Sequence, residues 1–202
     1  SGGSLHWTQK FSTAVVGDTC YLYNGIDLFE VVRGGVTSLI LTAVTAAVTP
    51  AGFLASAGIL TICGSRNYLI AVGATTVHYS STTTPTDFVA SLVSGAGEIG
   101  VGNVLSYLAH AHGTQDGFYL FSNQGAYYAQ YTGNARYPWK FNVVRGAVGI
   151  DESYYNLRKC IAYNGVSDEI YVVEKDLSFK IYAKNQAQAI LPEVTELLQK
   201  KR

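Results

Sequence analysis

Charge is what this chain has least of. Only 14 % of its 202 residues are Asp, Glu, Lys or Arg, against about 25 % in an average globular protein. The 14 basic residues balance the 14 acidic ones. Sequence-independent nucleic-acid binding needs a basic excess or a basic face, so that class is excluded, and Lys200-Lys-Arg reads as a solvated tail. Methionine is missing altogether, initiator included, so the chain reads as a piece of a longer one. Its opening Ser-Gly-Gly-Ser, residues 1–4, reads as a linker, leaving 5–202 as one β domain. Cys20, Cys63 and Cys160 are odd in number and never in CxxC spacing. They exclude a disulfide or zinc framework and point to small buried hydrophobes in a reducing compartment. The longest apolar stretch, 36–62, is broken by Pro50, Gly52 and Gly58. No run reaches the about 18 residues of a membrane-spanning helix, and no signal peptide is expected.

What is abundant is strand chemistry: 15 Tyr, 21 Gly and many Val, Thr and Ile. The organising stretch is 66–88, RNYLIAVGATTVHYSSTTTPTDF. An apolar run from Tyr68 to Ala71 meets a Gly73 turn and then a β-branched, aromatic run from Thr75 to Tyr79, the pattern of a β-hairpin. The design recurs three times: Cys20-Tyr-Leu-Tyr before Asn24-Gly25, Phe118-Tyr-Leu-Phe before Asn123-Gln-Gly125, and Cys160-Ile-Ala-Tyr before Asn164-Gly165. Offsets of roughly 40 to 50 residues are those of propeller blades. The expected fold is all-β and β-propeller-like, with about four antiparallel blades or part of a larger propeller.

Flanking strands are expected over 36–47, 104–109 and 137–144. Over 36–49 a helix is the rival reading, and the Val and Thr content favours strand. Residues 53–62 lead into the second hairpin. The run Arg145-Gly-Ala-Val-Gly-Ile150 reads as a tight backbone crossing. Residues 177–182 alternate at period two, a strand. The persuasive helix is 192–199, with Pro192 in the first turn, Glu193 and Glu196 early and basic residues at its end.

Chemistry is sparse. There is no GxGxxG, Walker loop, HExxH or GxSxG, and no cofactor is implied. His110-x-His112 is half a metal site without a third ligand, so a metal-free strand pair is the better reading. Asp151-Glu152 and Asp168-Glu169 are the densest carboxylates, and solvated loop ends are favoured over a glycosidase pair. Tyr127, Tyr128 and Trp139 could stack on sugar rings, which keeps a lectin-like, glycan- or ligand-binding propeller as the alternative function. A hydrolase would need convergent acids that the sequence does not place.

The strings RNYLIAVGATTVHYSSTTTPTDF, GFYLFSNQGAYYAQYTG and YPWKFNVVRGAVGI resemble the propeller-like tail-hub, tail-nozzle or packaged-DNA stabilisation proteins of tailed bacteriophages. The matching residues are Arg66, Asn67, Tyr79, Ser80, Ser81, Pro85, Asp87, Phe88, Tyr131, Thr132, Gly133, Gly146 and Gly149, and the resemblance spans about 67–150. It implies a non-enzymatic virion structural protein: identical subunits in a ring, docked on other tail, portal or adaptor proteins, with DNA only passing through a channel. No catalytic residue comes with that family. The candidate subunit-interface residues are Ser80, Ser81, Thr82, Pro85, Asp87, Phe88, Tyr137, Trp139, Leu197 and Leu198.

Overall fold

A computed structural model describes residues 11–33, 39–101, 108–150 and 161–200. The linker at 1–4, the ends of the expected strands at 36–38 and 104–107, and Asp151, Glu152 and Cys160 lie outside the described residues. So do the side chains of His110 and Leu198.

Sixteen strands among the described residues form four antiparallel four-stranded sheets. Sheet 1 is β1 (Ser12–Val16), β2 (Thr19–Tyr23), β3 (Leu28–Arg33) and β4 (Leu39–Ala43). Sheet 2 is β5 (Thr61–Ser65), β6 (Tyr68–Val72), β7 (Thr76–Tyr79) and β8 (Gly97–Gly100). Sheet 3 is β9 (Leu108–Gly113), β10 (Gly117–Ser122), β11 (Ala126–Tyr131) and β12 (Trp139–Val143). Sheet 4 is β13 (Ile161–Asn164), β14 (Glu169–Val173), β15 (Phe179–Ala183) and β16 (Gln186–Ala189). Strands neighbour one another in chain order in every sheet, so each is a blade-like meander, as the recurring hairpins predict. Among the described residues, helix is confined to α1 (Phe53–Ser56), a 3-10 turn at Thr45–Ala47 and α2 (Pro192–Lys200). Strand was the right reading at 39–43, and the helical rival survives only as that 3-10 turn. The short helix α1 was not foreseen within 53–62. It begins after Gly52, whose φ of 75° turns the chain, and it buries Phe53 and Leu54.

The chain divides into two compact units, Ser1–Gly100 and Val101–Arg202. In the first, one face of sheet 1, with Ala14, Tyr21, Tyr23 and Leu28, packs with Ile62, Leu69 and Ala71 of sheet 2. Buried apolar side chains of this size stabilise by roughly 1.5–3 kcal/mol each. Strands β1 and β5 come unusually close, since any Cβ at Gly64 would run into the Val15 carbonyl. The contact is sealed where Ile62 N donates to Ser12 Oγ at 3.0 Å. In the second unit, Tyr119, Phe121, Tyr128 and Ile150 pack with Ile170, Val172 and Tyr182. The central strands β6 and β10 are buried along their whole length. That is why each reads as an unbroken apolar run and not as an alternating one.

The turns agree with the sequence in one hairpin and depart from it in another. Gly25 takes φ 94°, while Asn24 Oδ1 accepts from Ile26 N at 2.9 Å and Asp27 N at 2.6 Å. Gly165, in the matching place after Asn164, does not. The positive φ falls instead on Asp168, at 55°, because this loop runs on to Glu169 and its last residue makes the reversal. Replacing Gly25 with Val should therefore cost about 1 kcal/mol or more. Gly165→Val should leave the melting temperature unchanged, since the nearest atom to a new Cβ is Tyr163 Cε1 at 3.5 Å. Equal losses in thermal denaturation would contradict the turn assignment.

Candidate functional site

The residues singled out from the sequence do not converge on one place. In the loop after β7, Ser80, Ser81 and Phe88 are buried in the chain's own packing. Ser80 Oγ accepts from Leu69 N at 2.9 Å and donates to Ser81 O at 3.1 Å. Ser81 Oγ accepts from Thr83 N at 3.2 Å and Thr84 N at 3.3 Å. Phe88 stacks on Phe53 with centroids 4.7 Å apart, and its amide donates to Thr49 O at 2.6 Å. These three residues are an internal staple, which corrects their assignment to a subunit interface. Thr82 is exposed, and Pro85 and Asp87 are half-buried. Asp87 Oδ1 spends its reach locally, accepting from Val89 N at 2.9 Å.

The aromatic platform of the glycan-binding alternative also comes apart. Strand alternation puts Tyr128 on the opposite face of β11 from Tyr127. Tyr131, on Tyr127's face, pairs with Trp139. Both Tyr128 and Trp139 are buried. Trp139 packs edge-on against Phe118 at 4.9 Å, and Tyr128 tilts against Tyr119 at 4.8 Å. Tyr127 is half-buried. Tyr137 alone of these aromatics stands well out, 60 % exposed, with the Arg136 guanidinium 5.5 Å from its ring centre. On α2, Leu197 is exposed.

Of the remaining candidates, Asp168 and Glu169 are engaged at the β13–β14 loop. Asp168 Oδ1 accepts from Gln115 N and from Tyr163 Oη, both at 2.8 Å. Glu169 Oε2 accepts from Ser167 Oγ at 2.7 Å. The His112 ring lies 5.1 Å from that of Tyr163, and burial lowers its basicity. No group of three His, Cys, Asp or Glu able to hold a metal occurs among the described residues.

The densest chemistry lies where the sequence reading did not look. Glu174, directly after β14, is 1 % exposed. Its Oε1 accepts from Val148 N at 2.8 Å and Gly149 N at 3.3 Å, and from the Tyr182 hydroxyl. Its Oε2 pairs with Lys180 Nζ, which also donates to Gly146 O at 2.6 Å. Ser178 Oγ donates to Asp176 Oδ1 at 2.6 Å and lies 3.3 Å from Glu174 Oε2. Burial, and then the charge and hydrogen bond of Glu174, push the Tyr182 phenol far above its ordinary range. Burial alone would raise the Asp176 carboxyl, but hydrogen bonds from Ser178 and the Lys180 charge outweigh it and hold the group low.

This cluster binds the crossing at 145–150, which the sequence had marked as tight. The backbone leaves no room for a side chain at Gly149, where a Cβ would sit 2.7 Å from Ser122 O, and φ is 105°. A carboxylate whose lone pairs are taken by backbone amides, a phenol and an ammonium has none free for a substrate proton or a metal. Its chemistry is that of a lock. A signal for it existed: Ile170, Val172 and Glu174 share one strand face at period two, and so do Lys180 and Tyr182.

No family model matches the chain, and no curated protein is similar to it.

Removing one partner of a buried charge pair costs about 3–5 kcal/mol, so Glu174→Ala should unfold or severely destabilise the second unit. Tyr182→Phe should cost about 1–3 kcal/mol, and wild-type melting in both variants would remove the lock. A second expectation concerns alkali. Burial, followed by the hydrogen bond and charge of Asp168, pushes Tyr163 up to about 12 from an ordinary 10.0. A raised acid favours its protonated form in the folded state, so this contribution is present below pH 10 and lost as pH rises through about 12. Tyr163→Phe should flatten that part of the stability profile, measured by chemical denaturation. An unchanged slope would contradict it.

Proposed function

We propose that the chain is a structural subunit of a bacteriophage tail hub or nozzle, one of several identical copies in a ring around a DNA-exit channel. It acts by contact and not by catalysis, within the virion, docked on other tail, portal or adaptor proteins. The observation that carries this reading is apolar surface left uncovered. Val32, Leu39, Ile40 and Leu41 are exposed along the outer part of sheet 1, as are Leu191 just before α2 and Val194 and Leu197 on it. Exposed edge strands of free-standing proteins carry charge or proline that blocks further pairing. Here residues 34–65 contain no charged side chain at all.

The C-terminal helix supports the same reading. Its polar side faces its own sheet: Phe179 N donates to Thr195 Oγ1 at 3.2 Å, and Gln199 Nε2 donates to Asp176 O at 3.0 Å. The apolar stripe is thereby left for something else. The particular kind of assembly comes from the resemblance of 67–150 to tail-hub proteins. The glycan-binding alternative loses its platform, because Tyr128 and Trp139 are buried.

Sedimentation of the chain should give one discrete ring-sized species. Deleting 192–202 should leave strand content and melting intact while shifting the population to smaller species. A stable monomer at micromolar concentration would overturn the proposal.

A further inference from the structure

The last strand of sheet 1 leaves half of its backbone unused. Val44 N donates to Leu28 O at 2.8 Å, and the register sets Thr42 opposite Glu30 and Ile40 opposite Val32. Hydrogen-bonded pairs alternate along an antiparallel ladder, so Ile40 and Thr42 spend their amides and carbonyls on β3. The N–H and C=O groups of Leu39, Leu41 and Ala43 turn the other way. β4 ends the sheet, and no described strand pairs with that side. The fourth strands of the other sheets are guarded. β8 carries Glu98 and β12 carries Lys140. β16 is bridged by the crossing, where Ala187 N donates to Arg145 O at 2.8 Å and Arg145 N to Asn185 O at 2.9 Å. β4 has neither charge nor proline to discourage pairing, and all five of its residues are exposed.

We infer that β4 is a docking edge for one extended, uncharged segment of a partner protein, which adds to sheet 1 as a fifth strand. This rests on the proposed docking role for the existence of partners, and on β4 alone for their form. Three observations select the occupant. Free donors and acceptors at every second residue match an extended backbone, whereas a helix has already satisfied its own. Side chains alternate about the strand, with Leu39, Leu41 and Ala43 on one face and Ile40 and Thr42 on the other. An added strand therefore finds uncharged neighbours on both faces. Aliphatic and β-branched residues pair well there, and a charged one would be desolvated with no counter-charge. Size decides between a segment and a folded body. Five residues make an edge about 17 Å long and about 10 Å thick, roughly 170 Å² for each partner. Two folded proteins need about 600 Å² each for a stable contact, so a second copy pairing β4 with β4 falls short. A short extended segment does not, because its main-chain hydrogen bonds carry the affinity.

The probe is a capped seven-residue peptide of alternating Thr and Val, added to the isotope-labelled whole chain. Amide exchange followed by NMR should slow at Leu39, Leu41 and Ala43. Ile40 and Thr42, already held by β3, should not change. Slowing at none of the three, or equally at all five, overturns the inference. Leu41→Pro deletes one outward donor and no bond to β3, a place where strands accept proline. Its melting should match the parent's while peptide binding weakens about thirtyfold. Leu41→Thr keeps the donor and should weaken binding only about threefold. Equal losses in the two variants would mark a merely apolar patch and overturn the backbone pairing. Leu39→Pro, at the strand's first residue, removes another outward amide and gives the same reading if Leu41→Pro does not fold. A chain that sediments as a ring and ignores the peptide loses this inference alone, and a monomer that binds it loses the ring alone.

Discussion

The second unit depends on one buried carboxylate. Glu174 gathers two backbone amides from the crossing, a phenol from β15 and an ammonium that itself reaches back to Gly146 O. Burying charge is expensive unless each partner is satisfied, and here the satisfaction runs through the backbone of another segment. The crossing must therefore take one path, with glycine at 146 and 149 where the left-handed turns fall. The same path brings Lys175 N to Gly149 O and Ile150 N to Ser122 O, both at 2.9 Å. Sheet 4 is thus keyed to the hairpin turn of sheet 3 by polar contacts, in addition to the apolar packing of their faces. What the lock provides is one register, since apolar packing alone is non-directional.

Among its described residues, the first unit solves the same problem without buried charge. Its sheets meet through aliphatic and tyrosine side chains, and direction comes from hydroxyls. Ser12 holds β5, Ser80 holds β6, and Tyr23 Oη donates to Ile59 O at 3.1 Å. The Thr- and Ser-rich loop after β7 belongs to this scheme. It turns on the Ser80 and Ser81 hydroxyls and pins Phe88 against Phe53, while Thr82, Thr83 and Thr84 stay exposed. A loop that looks like polar surface in the sequence is a fastener in the structure.

This difference explains what was legible in advance. Hairpins were readable because Asn24-Gly25 and the apolar runs around Tyr68 and Phe118 act locally, within a few residues. The helix α2 was readable for the same reason, from Pro192 and its charge order. Burial was not readable residue by residue. Trp139 and Tyr128 look alike in sequence as exposed aromatics, yet their strands turn them to opposite faces of sheet 3, and both faces are covered there. Ser80 and Ser81 were misjudged because a hydroxyl satisfied by backbone carries no sign of it in the sequence. Glu174 escaped notice because it ends a strand beside Lys175 and Asp176, where a solvated turn is the ordinary reading. Only its register with Val172, set against Lys180 and Tyr182, distinguishes it.

The low average charge also conceals a division. The first hundred residues hold 8 of the 28 charged side chains and the rest of the chain holds 20. The second unit can bury some of its charge in a lock and still keep a charged helix face in solvent. The first has little to set against water over sheet 1, where β4 is exposed along its whole length and carries Leu39, Ile40 and Leu41. Apolar area of that kind gains about 25 cal/mol for each Å² removed from water, and a strand edge gains hydrogen bonds as well once a neighbour pairs with it. Both gains lie outside the chain's own fold. The sequence keeps charge away from that surface while placing it freely elsewhere, so the exposed strand β4 meets water with aliphatic side chains and no ionic hydration to offset them.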